Sequence, residues 1–308
     1  MDTKKIYTLA DLKVWDFTGT ALAVIGQPIK HSLSPIMQNA AIERLSRESK
    51  EFDEWAYFRF EIDPKDLKEA LELFHQKRFL GLNLTVPHKV IALDLLGKIS
   101  ESAKAIGAVN TLKWNDFGYE GFNTDGYGMS KGIEEGLGIS LKGSSVMIIG
   151  AGGAARAAVF ECLNQHAESI RILNRSKSRL DSMLLSLSDL AGFESIIPIQ
   201  AKEGFDDLPP IGICINATSL GLRQNDPLPF NVNCLPPEWA VFDMIYNPQE
   251  TQLFVEARKH GCAVKTGLSM LVHQGAKSLE IWTGKKVDAQ VMLKVAEKSL
   301  ENHKNNLE

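Results

Sequence analysis

The chain reads as an α/β protein of two domains, an N-terminal α/β domain followed by a Rossmann-like doubly wound sheet. Three observations carry that reading. Short apolar runs alternate with segments of helical period along the sequence. The alternation restarts at Gly143, and the restart opens with a strand, a glycine-rich turn and a helix. The length, 308 residues, is that of two domains at roughly 100–200 residues each.

In the first half, residues 23–26 have the composition of a short buried strand. A loop follows, then Ser34-Pro35, where Ser34 is placed to cap a helix and Pro35 to fill its first position, whose N–H has no intrahelical partner. Met37, Ala41 and Leu45 recur at i+4 and give that helix an apolar stripe. Residues 55–62 are strand-like, and Asp63-Pro64 opens a second helix in which Leu67, Ala70, Leu71 and Phe74 share a face. Residues 80–85 form a third strand that runs into Val86-Pro87-His88-Lys89. In the second half, Ser145–Ile149 is a strand, an alanine-rich helix runs to about Gln165, and Ser169–Leu173 is the next strand. A turn at 174–179, a helix rich in Leu and Ser, and strands at 211–215, 240–244 and 263–265 complete the pattern. The last helices, 269–282 and 288–300, put Met292, Ala296 and Leu300 on one face, and pattern alone does not place them. Trp15 and Phe17, ahead of the first strand, predict an N-terminal segment packed onto the domain.

Composition excludes several classes. With 44% hydrophobic residues, 34 Lys+Arg against 38 Asp+Glu and a net charge of -4, the chain is neither disordered nor built to grip nucleic-acid phosphates. The longest uncharged apolar run, 146–155, is far short of the roughly 20 residues that span a bilayer. The first residues lack an apolar signal core, which predicts a cytoplasmic protein. Cys162, Cys214, Cys234 and Cys262 have no CxxC spacing and the seven histidines no paired spacing, so no metal site is expected.

The turn Gly150-Ala151-Gly152-Gly153-Ala154-Ala155 matches GxGxx(G/A) between a strand and a helix. Small residues let the backbone approach a pyrophosphate, and the helix N-terminus offers N–H groups to it. A tight turn that binds nothing is the competing reading; the flanking elements favour a dinucleotide. At the end of the next strand an NAD site places Asp or Glu for the ribose hydroxyls. Here the residues are Asn174, Arg175 and Ser176, with Lys177 and Arg179 just beyond. Guanidinium groups without a carboxylate predict NADP, against the alternative of a solvated basic turn.

Three polar loops stand out in the first half. His31-Ser32-Leu33-Ser34-Pro35 sets two hydroxyls beside a helix N-terminus, suited to a carboxylate. Residues 83–89 set a lysine where a strand ends, and Gly121-Phe122-Asn123-Thr124-Asp125-Gly126 holds an acid between glycines. Taken singly these are a cap, a surface turn and an Asx-type turn. Taken in order, with GAVNT (107–111), GAGGAAR (150–156), NRS (174–176), NATS (216–219), DMIYNP (243–248) and the stretch 267–274, they closely resemble the shikimate dehydrogenase family from about residue 24 to 284.

The resemblance implies reversible NADPH-dependent reduction of 3-dehydroshikimate to shikimate, a step of chorismate and aromatic amino acid biosynthesis. It implies a substrate domain of residues 1–125 plus 272–308 and an NADP-binding domain of 126–271. Lys89 is the catalytic residue by motif match and Asp125 its partner. Ser32 and Ser34 would bind the substrate carboxylate, and Thr85, Asn110 and Asp125 its ring hydroxyls or carbonyl, with Tyr246 and Gln274 completing the set. Gly150, Ala151, Gly152, Gly153, Ala154, Asn174, Arg175, Ser176 and Arg179 would hold the cofactor, joined by Thr218, Met244, Gly267, Met270 and, with less weight, Glu101. Gln274 lies four residues beyond Met270, so the two share a helix face. His88 is an alternative acid, set against a turn histidine facing solvent. The partners implied are small molecules, with no nucleic acid or membrane, and a monomer or homodimer. A quinate/shikimate dehydrogenase is the near alternative, signalled by Gly or Thr in the first motif and an acid after the second strand. A non-catalytic NADP-binding regulator is the distant one.

Overall fold

The computed structural model describes residues 1–199, 205 and 207–305, the side chains of 303–305 excepted. The chain divides into two compact units, Met1–Thr124 with Gln274–Glu308, and Asp125–His273. The division falls after Thr124, where 125 was expected, and at 273/274, where 271/272 was expected.

The first unit carries β1 (Ile6–Tyr7), α1 (Leu9–Lys13), β2 (Thr20–Gly26), α2 (Ser34–Ser46), β3 (Trp55–Glu61), α3 (Leu67–Gln76), β4 (Gly81–Leu84), α4 (His88–Ile91), β5 (Lys98–Ile99), α5 (Glu101–Ile106), β6 (Thr111–Asn115) and β7 (Gly118–Phe122). The sheet order is β1-β3-β2-β4-β6-β7-β5. Strands β1 to β4 are parallel, whereas β6 runs antiparallel to both β4 and β7. β2 is buried from Ala21 to Gly26 and reads as a continuous apolar run, as a parallel strand covered on both faces must.

The N-terminal segment does pack onto this unit. Trp15 is 5% exposed and meets Tyr7, Phe58, Phe60 and Phe79 edge-on or tilted. Two expectations need correction. Leu33, with no side-chain hydrogen bond, is the N-cap of α2, and Ser34 is its first residue. Asp63 caps a 3-10 turn at Pro64–Asp66, and the α-helix proper starts at Leu67.

The second unit carries α6 (Asp125–Leu137), β8 (Ser145–Ile149), α7 (Gly153–Asn164), β9 (Ser169–Leu173), α8 (Lys177–Leu187), β10 (Ile196–Ile199), β11 (Ile213–Asn216), β12 (Ala240–Asp243), α9 (Gln252–His260) and β13 (Ala263–Thr266). All six strands are parallel in the order β10-β9-β8-β11-β12-β13, the doubly wound pattern with its reversal between β8 and β11. Strand β11 starts at Ile213, two residues later than expected, and α8 starts inside the expected turn, at Lys177. The boundary between units falls within α10 (Leu268–Thr283), and α11 (Ala289–Asn305) packs on α2 in the first unit. Met292 and Ala296 on α11 are fully buried.

Candidate functional site

In the first unit the strand order reverses between β2 and β4, and the segments beyond their C-terminal ends hold Ser32, Ser34 and Thr85 of the residues expected to bind substrate, with Lys89. Ser32 and the largely buried Ser34 sit where the β2 loop enters α2, the Ser34 N–H donating to the Ser32 hydroxyl at 3.3 Å. Thr85 follows β4 and donates its N–H to the Ile25 carbonyl at 3.0 Å. A side chain at Gly26 would collide with the Thr85 methyl, so glycine there is what lets the two loops lie together. The half-buried Lys89 is the second residue of α4, and its carbonyl accepts from Val109 N–H at 2.9 Å. Asp125 is 7% exposed and opens α6, so it lies in a helical turn rather than the expected Asx-type loop.

His88 departs from the expected solvent-facing turn. It is fully buried, and its Nε2 bonds the Ile62 carbonyl at 2.9 Å. A carbonyl only accepts, so Nε2 carries the proton; the buried Nδ1 has no partner. Burial pushes the imidazole pKa down. The residue is a neutral anchor for the turn that presents Lys89.

Behind these loops lies a chain of buried polar side chains. Asn110 Oδ1 accepts from the Thr124 N–H at 2.9 Å, while its Nδ2 donates to Thr124 Oγ1 at 2.9 Å and to Gln274 Oε1 at 3.2 Å. Asn83 Nδ2 donates to the Asn110 carbonyl at 3.0 Å, Thr111 Oγ1 at 3.2 Å and Ser278 Oγ at 3.0 Å. Ser278 donates to the Gln274 carbonyl at 2.9 Å, and Tyr57 donates to Asn83 Oδ1 at 2.8 Å. Asn83, Thr111 and Thr124 belong to the motifs read from sequence but were not singled out there. Tyr57 looked like one more residue of an apolar strand, and Ser278 carried one signal only, its place one helical turn after Gln274.

In the second unit the glycine turn joins β8 to α7 at the sheet's reversal point. Gly150 has φ 122°, and a Cβ there would stand 3.0 Å from the Ala217 carbonyl oxygen beyond β11, so two constraints require glycine. Gly152 is the N-cap of α7 with no side-chain cap, and nothing lies within 4 Å of a Cβ built on Gly152 or Gly153. An anion therefore finds open space in front of exposed backbone N–H groups. Ala151 and Ala154 border the turn. Next door, β9 ends at Leu173, Asn174 Nδ2 donates to the Ser176 carbonyl at 2.8 Å, and Ser176 caps α8 through the Arg179 N–H. Arg175, Lys177 and Arg179 are exposed, and among the described residues none of them forms an ion pair. The site's donor set fits a phosphorylated dinucleotide: a small-residue cradle, a helix N-terminus, and cations with no carboxylate at the end of β9.

The loops after β11 and β12 are tied together by a network that sequence reasoning missed. Asn216 donates to Asp243 Oδ1 at 2.9 Å and accepts from the Thr218 hydroxyl at 2.7 Å, while Asp243 Oδ2 accepts from Thr251 at 2.6 Å. Asp243 is 1% exposed, and burial raises its pKa against the pull of those bonds. Met244 and Tyr246 follow directly on this anchor, and burial pushes the Tyr246 phenol up. A side chain at Gly267 would run into the Met244 carbonyl oxygen, which explains that glycine by packing. Met270 and Gln274 both lie on α10. Glu101 opens α5 in the first unit with its side chain 91% exposed and pairs with Lys104 at 2.8 Å. Among the described residues no His, Cys, Asp and Glu cluster could hold a metal ion.

The chain matches known proteins along most of its length. The sequence model of the shikimate dehydrogenase substrate binding domain matches residues 24–112, and that of the shikimate 5'-dehydrogenase C-terminal domain matches 267–297. The shikimate dehydrogenase (NADP(+)) of Methanococcoides burtonii is 39% identical over 279 residues, covering 91% of this chain and 98% of the relative. The crystal structure of shikimate 5-dehydrogenase from Thermus thermophilus in complex with NADP(H) and shikimate superposes with a TM-score of 0.80 at 32% identity, covering 91% of this chain and all of that one. Quinate dehydrogenase from Corynebacterium glutamicum in complex with NAD gives a TM-score of 0.79 at 30% identity, covering 91% and 99%.

Proposed function

The chain belongs to the shikimate dehydrogenase family, and from that premise we infer that it is an NADP-dependent oxidoreductase that interconverts 3-dehydroshikimate and shikimate. The reaction is the one the sequence resemblance implied. The single observation that carries the NADP form over the NAD and quinate form is the end of β9: Arg175, Lys177 and Arg179, exposed and without a carboxylate among them. The paired Ser32 and Ser34 favour shikimate in the same way.

We assign the first unit to the substrate and the second to the cofactor. When bound, NADPH supplies a hydride to the ketone carbon. Gly150, Ala151, Gly152, Gly153 and Ala154 would hold its pyrophosphate, and Asn174, Arg175, Ser176 and Arg179 its ribose phosphate. Thr218, Met244, Gly267 and Met270 would face the nicotinamide, with Glu101 the least supported of the set. The carboxylate of the substrate meets the hydroxyls of Ser32 and Ser34 at the start of α2, where helix N–H groups add to the attraction. Thr85, Asn110 and Gln274 orient the ring hydroxyls, with Tyr246 as a further contact. Hydride addition places negative charge on the carbonyl oxygen, and Lys89 Nζ donates the proton that neutralises it. Asp125 supports the lysine, a role taken from the resemblance. Buried, neutral His88 has its proton committed to Ile62, which supports Lys89 as the acid. We place the protein in the cytoplasm as a monomer or homodimer acting on small molecules; among the described residues no helix is long and apolar enough to cross a membrane.

One spectrophotometric experiment tests the reading. Reduction of NADP and of NAD is followed separately with shikimate and with quinate. Turnover is expected with NADP and shikimate. Turnover only with NAD and quinate makes the protein a quinate dehydrogenase, and none with any pair makes it a regulator on the same fold.

A further inference from the structure

The buried polar chain in the first unit has a fixed direction at Asn83. The Asn110 carbonyl can only accept, so the Asn83 atom facing it must be Nδ2, and Oδ1 must face Tyr57. Oδ1 cannot donate, so the single Tyr57 proton goes to it. At the other end, Ser278 Oγ accepts from Asn83 Nδ2 at 3.0 Å and also bonds the Gln274 carbonyl at 2.9 Å and Thr111 Oγ1 at 2.7 Å. The Thr124 N–H fixes Asn110 Oδ1, which turns Asn110 Nδ2 toward Gln274 Oε1.

We propose that Tyr57 and Ser278 are positioning residues for the substrate, linked through Asn83, which hold Asn110 and Gln274 in place. The proposal rests on the assignment of Asn110 and Gln274 to substrate binding. Tyr57 and Ser278 are both fully buried, and neither is needed to fill a charge or reach a cofactor. An apolar pair of the same shape would pack as well in a strand and a helix. What the hydroxyls add is partners: Tyr57 satisfies Asn83 Oδ1, and Ser278 accepts from Asn83 Nδ2 while bonding the Gln274 carbonyl and Thr111. The nearby Tyr119 offers an internal control. It is also buried, and its hydroxyl donates to the Phe79 carbonyl at 2.8 Å, a bond to backbone alone.

The test compares Tyr57→Phe, Ser278→Ala, their double variant and Tyr119→Phe in the full-length enzyme. KM, kcat and thermal midpoint are measured on whichever of shikimate or quinate the wild type turns over. Leaving Asn83 Oδ1 or Ser278's partners unsatisfied is expected to raise the substrate KM about tenfold in each single variant, with the KM for NADP unchanged. The double variant should lose little more than the worse single one, because both act through Asn83. Tyr119→Phe should lower the thermal midpoint without moving the substrate KM. An unmoved KM in a folded Tyr57→Phe enzyme, losses that multiply in the double variant, or an equal KM shift in Tyr119→Phe each overturns the proposal while leaving the assigned reaction intact. A wild type inert toward both substrates overturns the assigned reaction and this proposal together.

Discussion

Each sheet of the molecule reverses its strand order at one place and sets its functional loops there, yet the two places are built by opposite means. At the β2/β4 reversal the groups proposed to recognise substrate are side chains, and behind them stands a buried row of Tyr57, Asn83, Thr111, Thr124 and Ser278. At the β8/β11 reversal the groups are backbone N–H donors of a glycine turn and exposed cations on α8. The difference follows the ligands. A small polyhydroxy acid differs from its analogues by single hydroxyls, and only donors and acceptors fixed in direction discriminate at that scale. A pyrophosphate and a ribose phosphate present charge, and an open anion cradle with exposed guanidinium groups is sufficient.

The comparison predicts how each region fails. Lys89→Ala should break the first region's chemistry outright, lowering kcat roughly a hundred- to ten-thousandfold with the shikimate KM nearly unchanged. Steady-state kinetics decide this, and a variant with near-normal turnover removes Lys89 from proton transfer. Arg175→Asp should strike the second region only. The NADPH KM should rise roughly ten- to a hundredfold, as expected for a lost charge-assisted contact, and the NADH KM far less. Equal losses for the two cofactors would mean the cation does not read the phosphate.

The smallest effect sharpens an exception, the buried anchor of the second region. Asp243 has a raised pKa in the folded state, so the folded protein holds that proton more tightly than the unfolded chain. Its contribution to stability is therefore largest at acid pH and declines as pH rises from the unfolded value near about 3.9 through the folded one. Asp243→Asn keeps the acceptor for Asn216 and Ile245 and removes the titration. The wild-type thermal midpoint minus that of the variant should fall across this window, and a difference that stays constant with pH contradicts the assignment.

The sequence announces what depends on local pattern and conceals what depends on distant neighbours. The strand, glycine turn and helix at 145–164 are legible because small residues and apolar runs have one economical arrangement there. The basic start of α8 is legible as chemistry but reads as a turn, since Ser176 caps a helix that begins within it. β5, β6 and β7 give no clear signal because two- to five-residue strands show too little alternation. His88 looks exposed for the same reason that Tyr57 looks ordinary. The partner of each lies far along the chain, Ile62 for the one and Asn83 for the other, and no spacing rule links them. The Leu33 cap escapes notice because Ser34 is the better capping residue by composition, yet it falls one position inside the helix.

The packed N-terminal segment bears on how this protein behaves in isolation. β1 lies along the outer edge of β3, pairing Ile6 with Arg59 and Tyr7 with Phe60, and Trp15 shields the same aromatic face. Cut back to residue 24, where the family match begins, the chain would lose the first four of the seven residues of β2 along with that cover. It would leave Phe58 and Phe60 on a bare strand edge able to recruit a second molecule. With β1 in place that edge is already paired, and a trimmed enzyme is expected to be lost to aggregation before its catalysis can be measured.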